Sequence, residues 1–289
     1  MIRNRINILK KKFKNLEIDG YIIPKNDEFF SEYARNDRLK NISNFTGSAG
    51  LAIILKKNNY LFVDGRYTIQ AQKESGKNFK IIEIHKKLPY TIIKNCKLGF
   101  DPHLFTTKKL KYYFSKNIQL VSINENLVDK IFKKRTKKTK PFFSLPRHIT
   151  GEDHQSKIKK IVNFLISNKA DYLLVSAPEN VAWLLNIRGH DNPTSPIPNS
   201  RLIISKNKEL LLFAKKNMLQ KIIKEKKIKI TQVIDFYKFK QSIKKLKGGV
   251  FITDASTCSI FDEKIIKSKF KILDKDDPIY RFKSIKNPS

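Results

Sequence analysis

Cysteine, glycine and long apolar runs are all scarce in this sequence of 289 residues. The two cysteines, Cys96 and Cys258, lie far apart, which excludes a disulfide framework and a cysteine-based metal cluster and predicts a reducing, cytoplasmic compartment. No stretch approaches the roughly 18 consecutive apolar residues that a membrane span needs, so no membrane partner is expected. The basic segment 1–16 lacks the apolar region and cleavage site of a secretory signal.

Acidic residues are also few, since 26 Asp and Glu stand against 60 Lys and Arg, for a formal net charge of +34. Such an excess is compatible with a nucleic-acid or anionic-lipid partner. The lysines, however, are spread over the whole chain, and the densest run, residues 133–140, contains no aromatic side chain to stack on bases. A solvated linker is therefore favoured over a nucleic-acid patch. With 40% hydrophobic residues the chain is globular and long enough for two domains with cores.

The usual constellations of catalytic residues are missing as well. The five histidines form no H-E-x-x-H or similar ligand pair, and no phosphate-binding loop or dinucleotide fingerprint occurs. His148 and His154 lie among acidic residues, but this segment is interpreted as the polar start of a helix. Residues 46–50 (Thr-Gly-Ser-Ala-Gly) resemble a nucleophile elbow only loosely, and a tight turn is the favoured interpretation. We therefore predict no catalytic residue and no metal ligand in this chain.

The most extensive pattern present is an internal repeat. Apolar residues at helical spacing recur in both halves, and each helix is followed by a similar series of strand-like apolar runs. The matching pairs are Ile6 with Ile158, Leu9 with Ile161, Phe13 with Leu165, then residues 19–23 with 171–175, 51–55 with 202–205, 60–63 with 209–213, and 99–101 with 251–254. Helix, strand, hairpin, helix, strand in this order predicts an α/β fold that occurs twice, with mixed sheets covered by helices.

Two segments carry polar groups at the ends of predicted elements. Asp64-Gly65-Arg66-Tyr67 closes a predicted strand and opens a helix, so Arg66 could project its planar donor group toward a carboxylate or a peptide carbonyl. Residues 183–191 lead from Trp183, the single tryptophan, into a charged glycine turn that contains Arg188. On the residues alone, a structural ion pair at Arg66 and a buried tryptophan that anchors a loop are the favoured interpretations.

These segments also carry a family resemblance. The chain resembles the two leading domains of the three-domain Xaa-Pro aminopeptidases, in the creatinase/prolidase superfamily of metallopeptidases (family M24). The matching segments lie in order along the whole chain: residues 21–24 (YIIP), 31–33 (SEY), 45–50 (FTGSAG), 64–67 (DGRY), 125–129 (ENLVD), 182–189 (AWLLNIRG) and 283–287. The resemblance implies two similar creatinase N-terminal-like α/β domains, which agrees with the repeat.

The resemblance also implies what the full enzyme does. A third, "pita-bread" domain would hold two divalent metals, usually manganese, and would remove the N-terminal residue that precedes proline. None of its ligands is present here, so we expect no cofactor in this chain and no hydrolase activity from the chain alone. Arg66 would contact the peptide substrate, with Asp64, Tyr67 and Arg188 in supporting positions. Residues 195–199 depart from the common pattern, which puts the second domain's contribution to a cleft in doubt.

We therefore predict a non-catalytic front portion that walls the substrate cleft. The predicted domains are residues 1–125 and 148–277, with a basic linker at 126–147 and the start of a missing catalytic domain at 278–289. Asn287-Pro288 is typical of the first positions of a helix, and this supports the expectation of a truncated chain. A peptide with proline at its second position is the expected partner, and a homodimer of the full-length form stays open. The alternative is a stand-alone peptide-binding or regulatory module without hydrolase activity.

Overall fold

The structure, a computed structural model, describes residues 2–33, 35–114, 117–132, 140–225 and 228–286. Most of the basic run at 133–140 and the Asn287-Pro288 helix signal therefore lie outside the described residues. The chain forms two compact units, Met1–Thr136 (unit 1) and Lys137–Ser289 (unit 2). No helix among the described residues is long and apolar enough to cross a membrane.

Unit 1 is built on one six-stranded mixed sheet of order β4-β3-β2-β1-β5-β6. Strand β2 is antiparallel to both of its neighbours, and all other neighbouring pairs are parallel. A 3₁₀ turn at Gly65–Tyr67 links β3 to the helix that follows. The elements are α1 (Ile2–Lys11), β1 (Gly20–Pro24), α2 (Arg38–Ser43), β2 (Gly50–Leu55), β3 (Asn59–Val63), α3 (Thr68–Ser75), β4 (Lys80–Glu83), α4 (Pro89–Ile92), β5 (Cys96–Phe100), α5 (Thr107–Tyr113) and β6 (Ile118–Ser122).

Unit 2 contains a second six-stranded sheet, of order β12-β11-β10-β8-β13-β14, and a small β7-β9 ladder. Three further 3₁₀ turns lie at Lys216–Met218, Ile230–Gln232 and Phe236–Lys238. The elements are β7 (Phe143–Ser144), α6 (Arg147–Thr150), α7 (His154–Ser167), β8 (Tyr172–Val175), α8 (Pro178–Leu185), β9 (Ile187–Arg188), β10 (Arg201–Ser205), β11 (Leu210–Phe213), α9 (Gln220–Lys224), β12 (Val233–Ile234), α10 (Phe239–Lys245), β13 (Val250–Thr253), α11 (Ile260–Lys267), β14 (Lys271–Asp274) and α12 (Pro278–Ser284).

The two large sheets have the same topology. Numbered in chain order within each unit, both read 4-3-2-1-5-6, and both have strand 2 antiparallel to strands 1 and 3 while every other pair is parallel. The α/β fold class and the internal repeat are confirmed. The predicted helical stripes are core residues, since Ile6, Leu9 and Phe13 are at most 3% exposed, as are their counterparts in α7. Phe13 lies beyond the end of α1, in the turn that follows.

An aspartate before the first strand of each sheet is used in the same way in both units. Asp19 accepts a hydrogen bond from the backbone N–H of Lys97 at 3.0 Å and pairs with Lys56 at 2.6 Å. Asp171 accepts from two backbone N–H groups at the start of β13, at 2.8 and 3.0 Å, and pairs with Lys206 at 2.8 Å. The lysine and the amide bonds hold the pKa of Asp171 down to about 2. Each aspartate thereby ties the starts of strands 1 and 5 to the turn after strand 2.

Residues near the ends of the predicted domains are packed into the units. Leu127 and Val128 belong to the core of unit 1, and Phe142 belongs to the core of unit 2. Helix α12, inside the segment predicted to begin another domain, buries Ile279 completely in the core of unit 2. The division between the units falls within the predicted linker 126–147, and the domain boundaries at 125, 148 and 278 stay predictions.

Candidate functional site

The Asp64-Gly65-Arg66-Tyr67 segment links β3 to α3, as the sequence predicts. Asp64 directly follows β3 in extended conformation, and its Oδ1 accepts hydrogen bonds from the backbone N–H of Arg66 at 3.0 Å and from the Arg66 Nε at 2.8 Å. His85 Nε2 lies 3.5 Å from the other carboxylate oxygen. The arginine and its amide lower the pKa of Asp64 to about 2. The Arg66 side chain nevertheless stays 73% exposed, so a structural ion pair and an accessible guanidinium coexist.

Tyr67 connects this turn to neighbouring residues of unit 1 through its hydroxyl and its ring. Its hydroxyl lies 2.9 Å from the Ser48 Oγ, and its ring meets that of Phe45 edge to face at 5.9 Å. The Arg66 guanidinium carbon lies 5.5 Å from the centre of the Tyr67 ring, within the range of a cation–π contact. The arginine is therefore oriented by a carboxylate and an aromatic ring that are themselves fixed by neighbours.

The glycine-rich segment 46–50 is a structural turn. It leads into β2, whose first residue is Gly50, whereas a nucleophile elbow lies between a strand and the helix after it. A Cβ at Gly47 would lie 2.3 Å from the Phe45 ring, so the position admits no side chain. Glu74 accepts hydrogen bonds from the backbone N–H and the hydroxyl of Thr46, both at 2.7 Å, which fixes the turn against α3.

A cleft of about 260 Å³ opens in unit 1 beside the arginine turn. Asp64 and His85 stand at its lining together with Ser48, which contacts Tyr67. Lys109 of α5 also lines the cleft, and no sequence motif marks this lysine. Lys109 could have been found from the sequence by comparing the polar residues at matching positions of the two repeats.

Arg188 lies in unit 2, on the two-residue strand β9. Its guanidinium donates to the carbonyl oxygens of Ala182 at 3.2 Å and of Ile187 at 2.9 Å. Partial burial lowers the pKa of this arginine. Because these carbonyls belong to the last turn of α8 and to the residue before Arg188, the bonds stabilise the end of a helix. The structure brings Asp64, Arg66 and Tyr67 together and places Arg188 in the other unit.

Trp183 is only partly buried, so the prediction of a buried tryptophan that anchors the loop is wrong in this respect. The Lys157 ammonium lies 4.1 Å from the centre of its ring and donates to the Trp183 carbonyl at 3.0 Å and to Asn186 Oδ1 at 2.7 Å. Burial lowers the pKa of Lys157 to about 8. A cavity of about 880 Å³ adjoins this lysine, the tryptophan and Tyr280 of α12.

The polar segment around His148 and His154 begins a helix, as interpreted from the sequence. Asp153 is the N-cap of α7, and its carboxylate accepts hydrogen bonds from the backbone of Gln155 at 2.8 Å and of Ser156 at 3.0 Å. Within the described ranges of the chain, no group of three or more His, Cys, Asp or Glu side chains could hold a metal ion. The described residues therefore do not fit a di-nuclear centre, and no catalytic step is assigned to them.

Comparison with known proteins gives matches along the whole chain. Two family models, both described as the Creatinase/Prolidase N-terminal domain, match residues 5–131 and 133–289. The Xaa-Pro aminopeptidase 1 of Dictyostelium discoideum is 29% identical, over 99% of this chain and 49% of its own length. The Xaa-Pro aminopeptidase 2 of Rattus norvegicus is 26% identical, over 98% of this chain and 45% of its own length. The chain thus spans about half the length of the curated relatives it matches.

Solved structures were compared as well, and one of those that match covers the full chain. The X-prolyl aminopeptidase of Caenorhabditis elegans, described as a cytosolic enzyme with a di-nuclear active site, matches with a TM-score of 0.84 at 23% identity, over 100% of this chain and 52% of that one. This similarity shows the fold. Because one family model covers more than half of the chain and the other covers nearly all the rest, the chain belongs to the creatinase/prolidase N-terminal domain family and carries that domain twice.

Proposed function

We propose that this chain is the N-terminal, non-catalytic portion of a manganese-dependent, cytoplasmic Xaa-Pro aminopeptidase, which removes the N-terminal residue that precedes proline. The observation that carries the proposal is the end-to-end similarity to such enzymes, over 98 to 99% of this chain but less than half of theirs. The two divalent metals would be held by residues outside this chain. The chain alone is then inactive, because no described cluster of ligands is available to activate a water molecule.

The role proposed for this portion is to form a wall of the substrate cleft and to supply Arg66 to the peptide. Support comes from the geometry of the arginine turn. Asp64 engages the Nε of Arg66, so the terminal amino groups of the guanidinium can donate to a peptide carbonyl or carboxylate. An exposed arginine that is already oriented loses little side-chain freedom when it binds a ligand.

The test uses the native protein. Antibodies against this chain should precipitate, from the source cells, a polypeptide close to twice the 33.8 kDa of the present sequence. The precipitate should release the first residue from a peptide with proline at the second position in the presence of manganese, and a chelator should stop the reaction.

The purified chain of 289 residues serves as the matched control and should release nothing. A native band at 33.8 kDa without peptidase activity would contradict the proposal. It would favour the alternative of a stand-alone peptide-binding or regulatory module.

A further inference from the structure

The cleft of unit 1 lies at the ends of β1 and β3, where the sheet meets helix α5. Phe30, Leu51 and Phe62 are among its apolar lining residues. From the helix side the lining is polar, since Lys109 and Tyr113, one turn apart on α5, both face the cleft. The cleft thus combines apolar walls with an amine.

The Lys109 side chain is partly buried, and its amine is weakly partnered. Its hydrogen bond to Asn26 Oδ1 is long, at 3.4 Å. Among the residues that the structure describes, Glu32 is the carboxylate that acts on this amine, and Glu32 also lines the cleft. Burial outweighs that carboxylate and lowers the pKa of the amine. A cation in this position gains from any anionic group that enters the cleft.

Unit 2 has the opposite charge at the position of Lys109. Asp262 of α11 and Lys109 of α5 are each the third residue after a hydroxyl N-cap, Ser259 in one case and Thr106 in the other. The backbone N–H of Asp262 donates to the Ser259 hydroxyl at 3.1 Å, and that of Lys109 donates to the Thr106 hydroxyl at 3.2 Å. The two residues therefore occupy the same place in the fold.

The partner of Asp262 is also replaced in unit 1. In unit 2, Arg201 of β10 pairs with Asp262 at 2.8 Å, and their side chains are only 10% and 2% exposed. Arg201 and Leu51 occupy equivalent positions. In unit 1, Leu51 directly precedes the residue of β2 that pairs with Ile23 of β1. In unit 2, Arg201 directly precedes the residue of β10 that pairs with Val175 of β8. Unit 1 thus has a leucine in place of the arginine and a lysine in place of the aspartate.

We propose that the cleft of unit 1 is a binding site for the carboxylate of an amino-acid residue, with Lys109 as the cation that receives it. In unit 2 an internal ion pair fills this place, whereas in unit 1 the lysine is left for an external anion. This inference rests on the comparison of the two units and does not depend on the proposed peptidase function.

The size of the cleft and the charges of its lining residues narrow the choice of ligand. A cleft of about 260 Å³ holds one or two residues and excludes a folded partner. Two carboxylates line the cleft, Asp64 and Glu32. Asp64 is already paired with Arg66 and close to His85, so Glu32 is the carboxylate that competes with an incoming anion for Lys109. The apolar walls suit an aliphatic side chain. The carboxylate could come from the C-terminus of a short peptide or from a free amino acid.

The test is isothermal titration calorimetry of the full chain with three probes: N-acetyl-alanyl-leucine with a free carboxylate, the same dipeptide as its C-terminal amide, and free leucine. We expect the free acid to bind at least about tenfold more tightly than the amide, since a charge-assisted hydrogen bond is lost in the amide. Free leucine that binds as tightly as the dipeptide acid assigns the site to amino acids, and weaker binding assigns it to peptide C-termini.

Lys109→Met should weaken binding of the acid by about tenfold or more, to the level of the amide. Lys108→Met, on the exposed side of the same helix, is the matched control and should bind like the parent protein. The double variant Leu51→Arg/Lys109→Asp should rebuild the ion pair of unit 2, stay folded and lose binding. Equal affinity for acid and amide, an unchanged affinity in Lys109→Met, or no binding at millimolar concentration would each overturn the proposal.

Discussion

The buried ion pair between Arg201 and Asp262 gives the sharpest prediction on stability. Replacing Arg201 by leucine, the residue at the equivalent position of unit 1, leaves the carboxylate of Asp262 buried without its cation. Removal of one partner of a buried pair costs about 3 to 5 kcal/mol of unfolding free energy. With a urea dependence of about 2 kcal/mol/M, typical of small domains, the unfolding midpoint of unit 2 should fall by roughly 2 M.

Trp183 makes the assay specific, because it is the single tryptophan of the chain and lies in unit 2. Its fluorescence during urea titration follows that unit alone. The double variant Arg201→Leu/Asp262→Leu removes both charges and should regain all but about 1 kcal/mol, because replacement of a buried pair by apolar residues is often neutral. The Ser259 hydroxyl still caps α11 in this variant.

The single and double variants together test whether the buried charges of Arg201 and Asp262 stabilise each other. A loss below about 1 kcal/mol in Arg201→Leu would mean that solvent or another group compensates Asp262, and the desolvation argument would be refuted. A double variant as unstable as the sum of its two single variants would also refute it, since it would show that the charges are not coupled.

Three further predictions follow from other polar groups. Burial raises the pKa of Asp277 to about 6, so the folded state binds this proton more tightly than the unfolded state. The unfolding free energy of unit 2 should therefore fall by about 2 to 3 kcal/mol as pH rises from about 4 to 6. Urea titrations at several pH values measure this loss, and Asp277→Asn should abolish it. Asp171→Ala should cost about 2 kcal/mol through the lost amide and Lys206 bonds, and chemical denaturation above pH 4 measures it. In the proposed full-length enzyme, Arg66→Lys should lower kcat/KM for Xaa-Pro peptides about tenfold or more with unchanged thermal stability, and unaltered kinetics would count against the proposed peptide contact.

The strands that the sequence predicted are the well-buried ones. The residues of β1, β8 and β10 are buried throughout, and β2 and β11 are nearly so, which makes their apolar runs easy to recognise. The pattern does not predict β4, β6, β12 and β14, which lie at the edges of the sheets. These strands are short or half-exposed, and part of their residues are polar, so no apolar run marks them.

Of the candidate site, only the part with a local sequence signal could be predicted. The turn at Arg66 was predictable because glycine and aspartate next to a strand end are a local signal. Lys109 was not, because a single lysine in a chain with 60 Lys and Arg carries no local signal. Its setting depends on β1 and on Leu51, more than 50 residues away in sequence, and pairing across a sheet is needed to bring them together. Arg201 and Asp262 were missed for the same reason.

The sheet topology common to both units has a consequence during synthesis of the chain. Neighbouring domains of like fold can misassemble by exchanging equivalent elements. Here an exchange of α5 and α11 is penalised, because α11 on the first sheet would bury Asp262 beside Leu51, and α5 on the second would set Lys109 against Arg201. The different residues at these two equivalent positions thus favour each helix on its own sheet. In Leu51→Arg/Lys109→Asp both positions match those of unit 2, so the refolding yield of this variant should be lower than that of the parent chain.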